Sequence, residues 1–155
     1  MISNKIIRYE NGSKIKQLTE GKKTVLVGGC FDILHYGHVR FLSQAKAKGE
    51  VLMVALESDE FIRRIKKKKP IHTQEQRAEI LAHLDLVDMI ILLPLFGEKD
   101  YFDMVQMIHP NIIALTKGDP RLTEKSKQAQ EVDASIVQID FMKGYSSSYI
   151  QQYGT

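Results

Sequence analysis

The chain has 155 residues, 43% hydrophobic, 26% charged and 8% aromatic, with 10 Gly and 4 Pro, which fits one globular domain and excludes a disordered, fibrous or low-complexity chain. With 22 Lys and Arg against 19 Asp and Glu the net charge is +3, too small for the basic face that would make nucleic acid the expected partner. Cys30 is the single cysteine, so an intramolecular disulfide and a Cys-rich metal site are excluded. The longest apolar run, Met89 to Phe96, is eight residues broken by Pro94, whereas a membrane helix needs roughly 20. Residues Met1 to Glu10 show no signal-peptide pattern, and a cytoplasmic location is expected.

In chain order, short apolar β-branched runs alternate with longer amphipathic stretches. Residues 1–23 are left without a role. Thr24 to Gly28 reads as a strand ending in Gly28-Gly29, and after His35-Tyr36-Gly37-His38 a helical period puts Val39, Leu42 and Ala45 on one face. Val51 to Leu56 is the second strand, and Asp59 to Ile65 a short helix or turn. Arg63, Arg64 and Lys66 to Lys69 then put six cations into seven positions. Thr73-Gln74-Glu75-Gln76 is a capping-box start for a helix whose apolar face is Ile80, Leu81 and Leu84. The third strand is Met89 to Leu93, with Met89 to Phe96 either a buried strand and its loop or part of an interface. A helix over Tyr101 to Ile108 stops at His109-Pro110. Ile112 to Leu115 is the fourth strand, Thr123 to Val132 a helix, Ser135 to Ile139 the fifth strand, and Ser146 to Gln151 a terminal helical turn.

Strands apolar on both faces and separated by helices indicate a parallel sheet covered on both sides. The expected fold is α/β, a Rossmann-like doubly wound open sheet of about five strands in one domain over residues 1–155. Ligands of such sheets bind at the carboxyl ends of the strands.

Gly28 to His38 falls at one of those ends. His35 and His38 straddle Gly37 where a helix begins, so both imidazoles and several unpaired backbone N–H groups face one point at a positive helix end, an arrangement suited to an anion. The same pair also fits a surface pair or a packed helix cap. No third ligand stands near it for zinc, and no resident metal is assigned.

Gly29-Cys30-Phe31-Asp32-Ile33-Leu34-His35-Tyr36-Gly37-His38 resembles the signature of the cytidylyltransferase-like nucleotidyltransferases, matching it at Gly29, Phe31, Asp32, His35, Gly37 and His38 with Cys30 in the variable place. The resemblance extends over about residues 24–150. Lys66 to Lys69 with Pro70-Ile71, followed by Arg77, resembles the family's Lys-rich loop and the Arg of its next helix. Thr116-Lys117-Gly118-Asp119-Pro120 looks like its Gly-Asp turn, which in relatives lies near the base or ribose. Gly144-Tyr145-Ser146-Ser147-Ser148-Tyr149-Ile150 resembles its Gly-x-Ser-Thr-x-x-Ile helix cap.

What the resemblance implies is transfer of a nucleotidyl group from an NTP to a phosphorylated small molecule, with release of pyrophosphate. His35 and His38 would donate to the triphosphate, Lys66 or Lys68 would clamp acceptor and α-phosphate oxygens, and Arg77 with Ser146, Ser147 and Ser148 would hold the pyrophosphate. Gly29, Cys30, Phe31, Asp32, Gly37, Gly118 and Asp119 would line the nucleotide. Mg²⁺ would come with the NTP, held largely through water and phosphate oxygens. A homodimer is common in the family. Phe141 and Pro120 or Arg121 stand where glycerol-3-phosphate cytidylyltransferases carry Arg and Trp, and the chain has no Trp. Phe141 with Gly144, His109-Pro110 and Lys117-Gly118-Asp119 look more like the ADP-heptose-forming adenylyltransferases, so AMP transfer to a sugar phosphate is the expected activity. CMP transfer to a polyol phosphate, FMN adenylylation and a nucleotide-binding module without turnover are the alternatives.

Overall fold

In a computed structural model, which describes residues 2–145, six parallel strands form one sheet. The strands are β1 (Ile6–Arg8), β2 (Thr24–Gly29), β3 (Val51–Leu56), β4 (Met89–Leu92), β5 (Ile112–Thr116) and β6 (Ser135–Ile139), in the order β1-β4-β3-β2-β5-β6. The helices are α1 (Gly12–Thr19), α2 (Tyr36–Lys46), α3 (Asp59–Arg64), α4 (Gln74–Ala82), α5 (Glu98–Ile108) and α6 (Leu122–Glu131). The sixth strand lies in the N-terminal segment that periodicity left unassigned. Only three residues long, β1 pairs with the distant β4 in the register Ile7↔Ile91. The Ser146 to Gln151 turn lies outside the described residues.

Parallel connections are right-handed, so the direction in which the chain steps across the sheet decides which face each helix covers. The steps β2 to β3 to β4 run one way and place α2 and α4 on one face. The steps from β1 to β2, β4 to β5 and β5 to β6 run the other way and place α1, α5 and α6 on the opposite face. The two cores show this split in strict alternation. Val25, Val27, Leu52, Val54, Leu56, Ile90 and Leu92 pack with Leu42, Ala45, Ala78 and Leu81. Leu26, Met53, Ala55, Met89 and Ile91 pack with Ile15, Met104, Val105, Ile108 and Ala129. Every residue of β3 is buried, and each such aliphatic side chain contributes about 1.5–3 kcal/mol. Of the Met89 to Phe96 stretch, Met89 to Leu93 and Phe96 are buried, with β4 between β1 and β3, whereas Pro94 and Leu95 of the following loop are exposed.

The direction reverses between β2 and β5, and there the sheet opens. β2 pairs with β3 along six residues but with β5 only at Val25↔Ile112 and Leu26↔Ile113. Beyond Leu26 the carboxyl ends of β2 and β5 separate, leaving a crevice at the switch point.

Helix α4 is anchored at this end of the sheet. The Thr73 hydroxyl accepts from the Gln76 N–H at 3.2 Å, and the Gln76 side chain accepts from the Thr73 N–H at 3.0 Å, the capping box read from the sequence. Gln74 Nε2 donates to the carbonyls of Leu56, the last residue of β3, at 2.9 Å and of Leu93, just after β4, at 2.8 Å. Thr73→Ala is expected to cost about 1 kcal/mol and to lower the melting temperature by about 2–4 °C, read by calorimetry; an unchanged midpoint would show that the cap does not support the helix.

Candidate active site

Two cavities meet at the crevice. The first, about 300 Å³, is lined by Gly29, His35, Gly37, Thr116, Asp119 and Phe141 among others. The second, about 280 Å³, is lined by Asp32, Glu57, Phe61, Lys66, Lys68 and Arg121 among others. His38, with Gly29, Cys30 and Phe31, lines both.

His35 is the N-cap of α2, and its ring and that of His38 make a reciprocal cap. The His38 N–H donates to His35 Nδ1, and the His35 N–H donates to His38 Nδ1, each at 3.3 Å. The rings stack with centroids 3.7 Å apart, and Phe31 packs against His38 at 5.1 Å. Both Nδ1 atoms are occupied as acceptors, so the hydrogen bonds assign the proton of each neutral ring to Nε2. Burial lowers both histidines. For His38 burial acts first and the His35 ring second, opposed by a backbone hydrogen bond at Ile33, and the pKa falls to about 4. The two rings that cap the helix are therefore neutral imidazoles, each with its proton on Nε2, at a helix N-terminus.

A folded-state pKa of about 4 against an ordinary 6.5 means that the unfolded chain binds more protons in that interval. The stability from this group is complete above pH 6.5 and is lost as pH falls towards 4. Thermal midpoints of the free protein are expected to drop across this window, and to drop less in His38→Asn. An equal drop in both would place the acid sensitivity elsewhere.

Two glycines are needed for space. A Cβ on Gly29 would lie 2.9 Å from the Phe31 ring, and one on Gly37 would lie 3.0 Å from His35 Nδ1 and 2.9 Å from Tyr145 Cβ. Gly118 serves the turn after β5 through its φ of +88°. Asp119 follows it and lines the first cavity. Its carboxylate accepts from the Arg121 N–H at 2.7 Å and from Lys125 Nζ at 3.0 Å. Burial alone would raise Asp119, but these two donors outweigh it and hold the group below the usual range.

The basic loop borders the second cavity with Lys66 and Lys68. It is tied to α3 through the Lys66 N–H to Phe61 O and the Lys68 N–H to Ile62 O, with Lys67 at a φ of 56°. Asp32 fixes the far end of the loop: its carboxylate accepts from the Ile71 N–H at 2.9 Å and the His72 N–H at 3.0 Å.

Arg77 lies apart from the site that its sequence position implied. It is fully buried, so it is not placed to touch a pyrophosphate. Its guanidinium donates to the carbonyls of Cys30 at 2.7 Å, Glu57 at 2.9 Å and His72 at 3.2 Å, and pairs with Asp59 at 2.7 Å. It is a positioning residue that joins the loops after β2 and β3 to the start of α4. Ser146, Ser147 and Ser148 lie outside the described residues.

Sequence reasoning missed Glu57, Arg121 and Lys125 as site residues. Glu57 carried a signal, since an acidic residue directly after a six-residue apolar strand falls where parallel sheets place their ligands. Arg121 and Lys125 stand four apart at the start of α6, with no local mark to separate them from ordinary surface charge.

Residues 26–152 match the family model of the cytidylyltransferase-like proteins. The chain belongs to that family. It is 41% identical over 130 residues to a bifunctional protein HldE of Helicobacter pylori, with 83% of this chain and 27% of that protein covered. A bifunctional protein HldE of Wolinella succinogenes is 37% identical over 133 residues, covering 85% and 27%. The chain thus spans 27% of the length of these two relatives. Among solved structures, a lipopolysaccharide core biosynthesis protein of Thermoplasma volcanium superposes with a TM-score of 0.65 at 28% identity, covering 81% of this chain and all of the other. In this cytidylyltransferase-like chain the family model spans both cavities, and β1 and α1 precede it.

Proposed function

We propose that this chain transfers AMP from ATP to the phosphate of a sugar phosphate and releases pyrophosphate. The position of His38 carries the reading: its neutral ring stands where two cavities meet, one leading to the turn after β5 and the other to the basic loop. ATP would occupy the first with its α-phosphate at the histidines. The acceptor would lie in the second with its phosphate against Lys66 and Lys68. An acceptor phosphate oxygen attacks the α-phosphorus, a P–O bond forms, and the bond to the bridging oxygen breaks as pyrophosphate takes its electron pair. The nucleophile is already an anion, so no strong base is required, and catalysis rests on positioning and on neutralising charge in the transition state.

Among the described residues no three His, Cys, Asp or Glu side chains cluster as a metal cage. Mg²⁺ is proposed to arrive with the triphosphate, held largely through phosphate oxygens and water, where it would neutralise phosphate charge. Among the described residues no helix is long and apolar enough to cross a membrane. The proposed compartment is the cytoplasm, where an NTP and a sugar phosphate are both available.

Pyrophosphate release from each NTP, with a heptose 1-phosphate, a hexose 1-phosphate, glycerol 3-phosphate or FMN as acceptor, tests the reading. A nucleotide sugar formed from ATP supports it, and the resemblance to ADP-heptose-forming enzymes puts the heptose acceptor first. Turnover with CTP and glycerol 3-phosphate would replace it. Binding of nucleotides without pyrophosphate release from any acceptor would reduce the chain to a binding module.

A further inference from the structure

Glu57 is buried to within 3% of complete coverage, and it lines the basic-loop cavity close to the positive charge. Its carboxylate is held from one side only. Oε2 accepts from the Tyr101 hydroxyl at 2.6 Å, while Oε1 has no hydrogen-bond partner. Burial raises the Glu57 carboxyl, against the Tyr101 hydrogen bond and the charges of Arg121, Lys125 and Lys66. Tyr101 is raised as well, by burial first and by Glu57 second, so it remains a donor at neutral pH. A buried acceptor without a donor is uncommon in folded proteins and calls for an occupant.

The placement defines that occupant. Lys66 and Lys68 border the same cavity and suit the anionic head of a ligand. Glu57, beside Arg121, also lines a small apolar pocket of about 50 Å³ between the central strands and α5, with Tyr101, Met104 and Val105. A carboxylate only accepts, so it repels a second anion and rewards a hydroxyl donor. The cavity volume of about 280 Å³ lies at the small end of ligand sites, the scale of one sugar ring with its phosphate. Tyr101, from α5, fixes the carboxylate in advance, which lowers the cost of ordering it on binding.

We infer that Glu57, held by Tyr101, determines acceptor specificity by accepting a hydrogen bond from a hydroxyl of the sugar phosphate whose phosphate lies at Lys66 and Lys68. The inference rests on the proposed reaction and adds the group that reads the sugar. It follows that an acceptor lacking that hydroxyl is rejected because Oε1 would be buried unpaired.

The test is a cycle between protein and ligand. Wild type, Glu57→Gln and Tyr101→Phe are assayed for pyrophosphate release with Mg·ATP and a heptose 1-phosphate or its monodeoxy analogues. Glu57→Gln is expected to raise the acceptor KM about 10- to 100-fold, the range for a hydrogen bond to a charged group, with the KM for ATP within about twofold. One monodeoxy analogue is expected to be a poor substrate for wild type by a similar factor, and to lose no further activity in Glu57→Gln, because the two changes remove the same bond. Tyr101→Phe is expected to raise the acceptor KM by a smaller factor, and it carries the cycle if Glu57→Gln does not fold. Equal penalties for every deoxy analogue in wild type and variants, or parallel changes in both KM values, would overturn the role of Glu57 and leave the reaction standing. An inactive wild type with every sugar phosphate would overturn both.

Discussion

His38→Ala is expected to fold and to turn over about 10²–10³ times more slowly than wild type, the usual cost of removing one donor aimed at developing charge. The ring stands where the two cavities join, stacked on His35 and packed against Phe31, so it is held in place before substrate arrives. Being neutral, it presents the donor without the solvation shell that an imidazolium would have to lose. The structural cost is modest. Alanine forfeits the hydrogen bond from the His35 N–H to Nδ1, a loss of about 1 kcal/mol by comparison with other caps. Pyrophosphate release and the thermal midpoint, measured on one preparation, separate the two effects. Turnover within about threefold of wild type would remove His38 from the reaction; lost turnover with a collapsed midpoint would make its role structural.

Arg77→Met is expected to act in the reverse order, through stability. The side chain is fully buried, and its guanidinium satisfies three carbonyls and Asp59. Methionine fills part of the volume but leaves those carbonyls without a donor and Asp59 without its charge partner. Removing one member of a buried pair costs about 3–5 kcal/mol, or about 6–20 °C in melting temperature for a chain of this size. The loops that start at Cys30 and Glu57 would loosen together, so both KM values are expected to rise in whatever protein remains folded. An unchanged melting temperature with a selective loss of pyrophosphate handling would return Arg77 to the catalytic machinery.

The features legible in the sequence were those written in local spacing. The apolar runs of β2 to β6, the helical periods between them and the Thr73 capping box depend on neighbours within a few residues, and their positions agree with the structure to within three residues. Gly29 to His38 was legible for the same reason, since the reciprocal cap spans a single turn of α2. Tertiary structure alone decided the rest. Ile6–Arg8 is too short to show a period, and its strand state comes from pairing with β4. Arg77 and Lys66 are both cations near the same loop, yet one is enclosed and the other exposed. That difference is set by which carbonyls converge on the guanidinium from three separate segments. Glu57 likewise depends on Tyr101 reaching it from α5, 44 residues further along the chain. Periodicity and caps record energies between near neighbours, whereas burial and the pairing of charges depend on contacts between residues far apart in the chain.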